Sequence, residues 1–315
     1  MTLSIHEVAA SAVQARTRIR AHVYQTPLVP ARQTGRATNA KVLFKAENFQ
    51  LTGSFKLRGA TSKVSAQPAA DKKKLITASS GNHGIGAACA ARALGRDLTV
   101  VLPETVFPAK LENIKSYGAI TILHGAETGL AEQHAQQLAA SGEYVYISPY
   151  NDPLIVAGQG TIGLEILEQC DGVDNVFISM GAAASSAVSG PTKIYGIAAT
   201  NSKTLAESMA VGKVIETEHL PTLAEAVAGG MDEDSITLPL ASAVVDRVVE
   251  CSEDEIAAAM RKMAFEENMI VEGSAALATA GFEKVAEEVA GQTSVILLCG
   301  ANVDQGVVKK IIYGL

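Results

Sequence analysis

Lys56 sits in Ser54-Phe-Lys-Leu-Arg-Gly59, behind an aromatic ring and between Gly53 and Gly59. A lysine becomes a covalent handle for carbonyl compounds when desolvation or neighbouring groups leave its amine neutral. Phe55 supplies an apolar, stackable neighbour. An ordinary helix start, with Lys56 and Arg58 as solvated cations, fits the same residues, so the lysine needs companions. A first candidate is Thr77-Ala-Ser-Ser-Gly-Asn-His-Gly84, between a strand-like and a helix-like run. A loop at a helix N-terminus offers free backbone N–H groups and partial positive charge, which suit a carboxylate or phosphate. Ser79, Ser80 and Asn82 add side-chain donors, although Ser80 or Asn82 would equally serve as a helix cap. His83 has no metal partner nearby in sequence and is read as a possible hydrogen-bond donor. In Val176-Phe-Ile-Ser-Met-Gly-Ala-Ala-Ala-Ser-Ser186 a strand runs into small residues, which let backbone amides approach an anion. Ala182 to Ala184 could also simply begin a helix. In Val295-Ile-Leu-Leu-Cys-Gly-Ala-Asn-Val-Asp304, Cys299 ends a buried-looking strand, where ligands bind in open α/β sheets. A plain core cysteine is the alternative.

The elements that must position these residues follow from periodicity. Apolar runs at 41–44, 74–77, 98–102, 120–123, 176–178, 193–197 and 295–298 alternate with alanine-rich helical stretches, the mark of a parallel-sheet α/β protein. Residues 74–125 form a βαβαβ pattern with helices at 84–94 and 108–117. This suggests a small α/β domain over 74–148 inserted into a larger one made of 1–73 and 149–315. Helices are also expected over 5–23, ended by Thr26-Pro27, and over 253–267, capped by Ser252.

The 315 residues are 48% hydrophobic, enough for a large core. A formal charge of −7 without a basic block or interleaved aromatics argues against a nucleic-acid surface. No run approaches a membrane span, and the first twenty residues lack the apolar stretch of a secretory signal. The four cysteines, Cys89, Cys170, Cys251 and Cys299, have no metal-ligand spacing. A small-molecule partner and a cytoplasmic location are expected.

Together the motifs resemble the fold type II pyridoxal-phosphate enzymes, specifically the serine/threonine dehydratase and serine racemase family. The likeness runs from Thr26-Pro-Leu28 through the Lys56, Asn82 and Cys299 segments, and includes Pro149-Tyr-Asn-Asp-Pro-Leu154 and Ala157-Gly-Gln-Gly-Thr-Ile-Gly-Leu-Glu165. It implies two open, twisted, mostly parallel sheets flanked by helices, like the tryptophan synthase β chain. It also implies pyridoxal 5'-phosphate held by Lys56 as a Schiff base, with Phe55 against the ring and Asn82 on its 3-hydroxyl. Gly181, Ala182, Ala183 and Ala184 would receive the phosphate. Cys299 would face the pyridine nitrogen, with Glu272 near the same ring edge, although Glu272 also reads as a helix-start acid. Ser79, Ser80, Gly81, Asn82 and His83 would receive the substrate carboxylate. Lys56 would act as general base, and Ser80 occupies the position of the opposite-face acid/base in racemizing relatives.

Three departures stand out. Relatives carry four consecutive glycines where this chain has Gly181-Ala-Ala-Ala184. Only the eleven residues 185–195 precede Gly196, short by roughly two helical turns, which suggests a segment missing from the chain as given. Metal-dependent relatives place a glutamate where Ala198 stands, so no magnesium or calcium is expected there. The resemblance implies a threonine/serine dehydratase (ammonia-lyase), threonine preferred, forming a 2-oxo acid and ammonia by α,β-elimination. The end of the chain just past its last motif suits a catabolic, simply regulated form, and relatives suggest a homodimer. The alternatives are a serine racemase, a dehydratase of hydroxyaspartate or phenylserine, and a non-catalytic pyridoxal-phosphate-binding protein.

Overall fold

The computed structural model describes residues 4–68, 71, 73–181 and 192–314. In chain order the elements that matter here are α1 (Ile5–Ile19), β1 (Leu28–Pro30), β2 (Lys41–Lys45), α2 (Lys56–Ser65), β3 (Lys74–Ala78), α3 (Asn82–Ala93) and β4 (Leu98–Leu102). They continue with α4 (Pro108–Ser116), β5 (Ile120–Leu123), α5 (Thr128–Ala140), β6 (Tyr144–Tyr146), α6 (Pro153–Gln169), β7 (Asn175–Ser179) and β8 (Lys193–Ala199). The last are α7 (Thr204–Val211), α8 (Thr237–Val244), β9 (Arg247–Cys251), α9 (Glu253–Phe265), α10 (Gly273–Lys284) and β10 (Thr293–Leu297). The α/β class with two mostly parallel sheets is as expected. The crossover from β7 to β8 lies mostly at 182–191, outside the described residues, as do Ala182, Ala183 and Ala184.

The chain divides into two compact units, one of Met1–Ile5, Gln25–Phe49 and Ile162–Leu315, the other of His6–Tyr24 and Gln50–Thr161. The first carries a six-stranded sheet in the order β1-β2-β10-β7-β8-β9, parallel except for the short edge strand β1. Its central strands are buried on both faces, which is why they read as unbroken apolar runs. On one side Phe177 stacks on Tyr195 at 4.5 Å and meets the edge of Phe282 from α10 at 5.3 Å. The β9 and α9 boundary is a capping box, in which Ser252 and Glu255 satisfy each other's backbone N–H.

The second unit carries a four-stranded parallel sheet in the order β5-β4-β3-β6. Successive residues of each strand point to opposite faces, and both faces are covered. Leu75 and Val100 face a cluster with Leu57, Ala60, Ile85 and Ile114 from α2, α3 and α4. Ile76 and Val101 face Ala131 and Ala135 of α5. The span 74–148, expected as a small domain, lies wholly within this unit, which also takes in 6–24, 50–73 and 149–161. The reason is glycine-mediated close packing. A Cβ on Gly158 would stand 2.6 Å from the Arg58 carbonyl oxygen, and one on Gly86 would stand 3.0 Å from the Leu57 nitrogen. Helices α3 and α6 thus press directly on the backbone of α2, locking the lysine-bearing helix to the four-stranded sheet.

Candidate active site

In the four-stranded unit, Gly53 turns the chain at φ 71° and delivers Phe55 to the N-cap of α2, with Lys56 as the first helical residue. Both side chains are buried. The Lys56 Nζ donates to the Pro149 carbonyl at 2.9 Å and stands 5.4 Å from the Phe55 ring centroid. Lys56 is therefore held in a fixed place and shielded from water. Its helix neighbour Arg58 is not a solvated cation: it is fully buried, donating to Thr161 Oγ1 at 3.1 Å and to the Tyr24 carbonyl at 3.2 Å. That rules out the alternative in which both residues are ordinary surface charge, because the close approach of α6 buries this face.

Strand β3 pairs in parallel with β6, so the loop 79–83 and the segment 147–149 leave the same sheet edge side by side. The loop turns into α3 through Gly81 as N-cap, and neither Ser80 nor Asn82 caps the helix. Ser79 Oγ accepts from the Gly81 N–H at 3.2 Å. Among the described residues, a Cβ on Gly81 would meet nothing within 4 Å beside the first turn of α3. Asn82 and His83 are buried, while Ser79, Ser80 and Gly81 are partly exposed. A Cβ on Gly84 would overlap the Ser79 carbonyl, so the tight turn requires glycine there. His83 Nε2 lies 3.0 Å from the Ile147 carbonyl and 3.1 Å from Thr77 Oγ1. Burial first, then the charge of Lys56, holds the His83 imidazole down to about 3 against a smaller upward pull from the Ile147 carbonyl. It is a neutral ring.

In the six-stranded unit, β10 and β7 are parallel neighbours, which brings Cys299 and Gly181 to the same sheet edge. Cys299 is buried and its thiol donates to Glu272 Oε1 at 3.9 Å. Glu272 occupies the N-cap position of α10 yet makes no side-chain cap. Its Oε2 accepts from the Asn302 N–H at 3.1 Å and its own N–H donates to the Gly300 carbonyl at 3.1 Å. The carboxylate is turned to the strand end rather than to its own helix. A Cβ on Gly181 would stand 3.0 Å from Val227, and Ser179 Oγ donates to the Ser274 carbonyl at 2.6 Å, so β7 and α10 are tied at this edge. Ala198 is buried inside β8, opposite Glu250 on β9. Among the described residues no cluster of three or more His, Cys, Asp or Glu side chains could hold a metal ion.

The model of the family described as "Pyridoxal-phosphate dependent enzyme" matches residues 19–300. The chain belongs to that family. It is 34% identical to the catabolic L-threonine dehydratase of Staphylococcus aureus strain N315 over 95% of this chain and 90% of that one. The structure of maize serine racemase superposes with a TM-score of 0.88 and 28% identity, over 97% of both chains. That of processed threonine deaminase isoform 2 from Solanum lycopersicum gives 0.90 and 27%, over 98% of this chain and 93% of the other.

Taken unit by unit, the residues present are compatible with the family's cofactor: the four-stranded unit holds a buried lysine amine and a loop at a helix N-terminus, and the six-stranded unit holds a thiol at a strand end. Sequence reasoning missed Pro149 as the acceptor for Lys56. A backbone carbonyl has no sequence signature, but Pro149 lies in a motif singled out for other reasons.

Proposed function

We propose that the protein is a pyridoxal-phosphate-dependent threonine/serine ammonia-lyase, with threonine preferred, that converts a small β-hydroxy amino acid to a 2-oxo acid and ammonia. The observation that carries this reading is the buried Lys56 amine, fixed by Pro149 and Phe55 in the four-stranded unit whose loop 79–83 opens at the N-terminus of α3. Pyridoxal phosphate, when bound, supplies the electron sink that makes the substrate α-proton acidic. Lys56 would hold the cofactor and would take the substrate α-proton on Nζ. Overall the α C–H and β C–O bonds break, the α-proton and the hydroxyl leave as one water, and the released enamine takes up one water to give the 2-oxo acid and ammonia. The N–H groups and hydroxyls of Ser79, Ser80, Gly81, Asn82 and His83 receive the substrate carboxylate.

In the same reading Phe55 would pack on the cofactor ring, Asn82 would bond its 3-hydroxyl, and Gly181 with Ala182, Ala183 and Ala184, the last three outside the described residues, would receive the phosphate. Cys299, which donates to Glu272, would present its sulfur to the ring nitrogen. Unlike an aspartate, a thiol does not hold that nitrogen protonated, which favours prompt elimination over transamination. Ser80 keeps a second reading open, since it supplies a hydroxyl for reprotonation from the opposite side, as a racemase needs.

Incubating the purified protein with L-threonine or L-serine tests this. Release of 2-oxobutyrate and pyruvate, faster than any D-amino acid appears, is the expected result. D-serine forming faster than pyruvate would make the protein a racemase, and no product with a cofactor-loaded protein would make it a binding protein. We also propose a homodimer in the cytoplasm, the first checked by light scattering on the eluting peak. No helix among the described residues is long and apolar enough to cross a membrane.

A further inference from the structure

His83 is the one titratable side chain of the loop 79–83, and its surroundings determine what it can and cannot do. Its Nε2 faces the Ile147 carbonyl oxygen at 3.0 Å. A carbonyl only accepts, so Nε2 carries the proton. Thr77 Oγ1, 3.1 Å away, donates its own proton to the same carbonyl at 2.7 Å and so offers Nε2 a lone pair. Both partners require the same tautomer. The other nitrogen, Nδ1, is left bare, and among the described residues it is buried without a hydrogen-bond partner. The ring is 2% exposed and stays neutral across the working range. A bare nitrogen in a neutral ring repels a carboxylate, so whatever His83 gives a substrate carboxylate comes from its backbone N–H alone.

The Ile147 carbonyl that His83 grips is two residues before the Pro149 carbonyl that receives Lys56 Nζ at 2.9 Å. The far end of this segment is anchored separately. Lys63 Nζ reaches Asp152 Oδ2 at 2.5 Å, and Asp152 Oδ1 accepts from the Leu154 N–H at 2.8 Å at the start of α6. Ser148 Oγ tightens the turn by accepting from the Tyr150 and Asn151 N–H groups at 3.3 and 2.9 Å. The near end has the β6 ladder, in which the Ile147 N–H donates to Ile76 at 2.8 Å, and the imidazole. We infer that His83 is a positioning residue for Lys56: a neutral imidazole of one tautomer that clamps the 147–149 segment, so that the Pro149 carbonyl holds the lysine amine in place whenever it is not bonded to cofactor.

The inference assumes Lys56 is the cofactor lysine, as in the reading above, but its first test does not depend on turnover. ¹⁵N NMR of the imidazole in the full-length protein, as purified with cofactor, is expected to report Nε2 protonated and Nδ1 bare, unchanged from pH 8 to pH 5.5. An Nδ1–H tautomer, or a ring that titrates in that range, overturns the proposal. The second test compares His83→Gln, whose amide can still donate to Ile147, with His83→Leu, which cannot. Glutamine is expected to retain at least a third of kcat for threonine. Leucine is expected to lose tenfold or more in kcat with KM changed less than threefold. Equal losses in both variants, or a loss carried by KM, overturn it. If the leucine variant does not fold, the NMR result on the unmodified protein decides the matter. A protein that shows the predicted imidazole yet turns nothing over would refute the ammonia-lyase reading and leave the clamp standing.

Discussion

Replacing Gly86 by alanine tests whether the seat of Lys56 is set by helix packing. The added Cβ would stand 3.0 Å from the Leu57 nitrogen and 3.2 Å from both the Leu57 Cα and the Lys56 carbonyl carbon. Comfortable contact for such pairs needs roughly 3.5 Å or more, so α2 and α3 must separate by about half an ångström. Overpacking of this kind costs roughly 1–3 kcal/mol, against which alanine recovers up to about 1 kcal/mol of helix propensity. The net loss of stability is therefore small, about 0–2 kcal/mol. The effect on catalysis is expected to be larger. The displaced atoms are the backbone of the lysine itself, and an error of about 1 Å in a reacting group can cost a hundredfold, so half of that costs roughly tenfold. Steady-state kinetics with threonine and thermal melts would be measured on Gly86→Ala. A tenfold lower kcat, little change in KM and a melting temperature within a few degrees are expected. The companion Gly158→Ala, with 2.6 Å to the Arg58 oxygen and to the Gly59 Cα, should lose more stability than Gly86→Ala. A Gly86→Ala protein with wild-type kcat would refute the argument that this contact sets the lysine's place.

Three further predictions concern charge. Glu165→Gln removes the carboxylate 2.6 Å from the fully buried Lys45 ammonium and should cost about 3–5 kcal/mol in denaturant melts, whereas the paired apolar change Lys45→Met with Glu165→Leu should cost much less; equal costs would contradict it. At Glu267, burial raises the carboxyl pKa, but hydrogen bonds from the Arg32 N–H, Thr34 Oγ1, Thr34 N–H and Gln33 N–H outweigh it and leave the value lowered. The stability it contributes is thus present above the ordinary carboxylate value of about 4.3 and is lost as pH falls through the lower folded value. The gap in melting temperature between wild type and Glu267→Gln should be widest near pH 7 and close on acidification. A gap that widens towards low pH would reverse the sign of that argument. With Ala198 in place of a carboxylate, chelation should leave activity and melting temperature unchanged, and a large loss of either would place a divalent cation elsewhere.

Much of this architecture is legible in the chain because parallel strands buried on both faces read as plain apolar runs, as at Leu98–Leu102. The three strands with no such signal are those at or near sheet edges. β1 is three residues with a proline, β6 is three residues, and β9 alternates exposed and buried positions from Val248 to Cys251 at the rim. The βαβαβ pattern locates 74–125, yet periodicity carries no record of α2 pressing on α3 and α6, so the extent of that compact unit was not legible. Of the proposed functional residues, Lys56, Asn82 and Cys299 announce themselves through motifs. The burial of Arg58, the turn of Glu272 towards Cys299 and the tautomer of His83 depend on partners 27 to 103 residues away, which residue type and spacing do not reveal.

The central claim is that Lys56 carries the cofactor. Borohydride reduction of the purified, pyridoxal-phosphate-loaded protein, followed by peptide mass spectrometry, tests it most directly. The account predicts loss of the visible absorbance band and a phosphopyridoxyl group on Lys56. A label on another lysine, or none on a protein that still binds the cofactor, would contradict it.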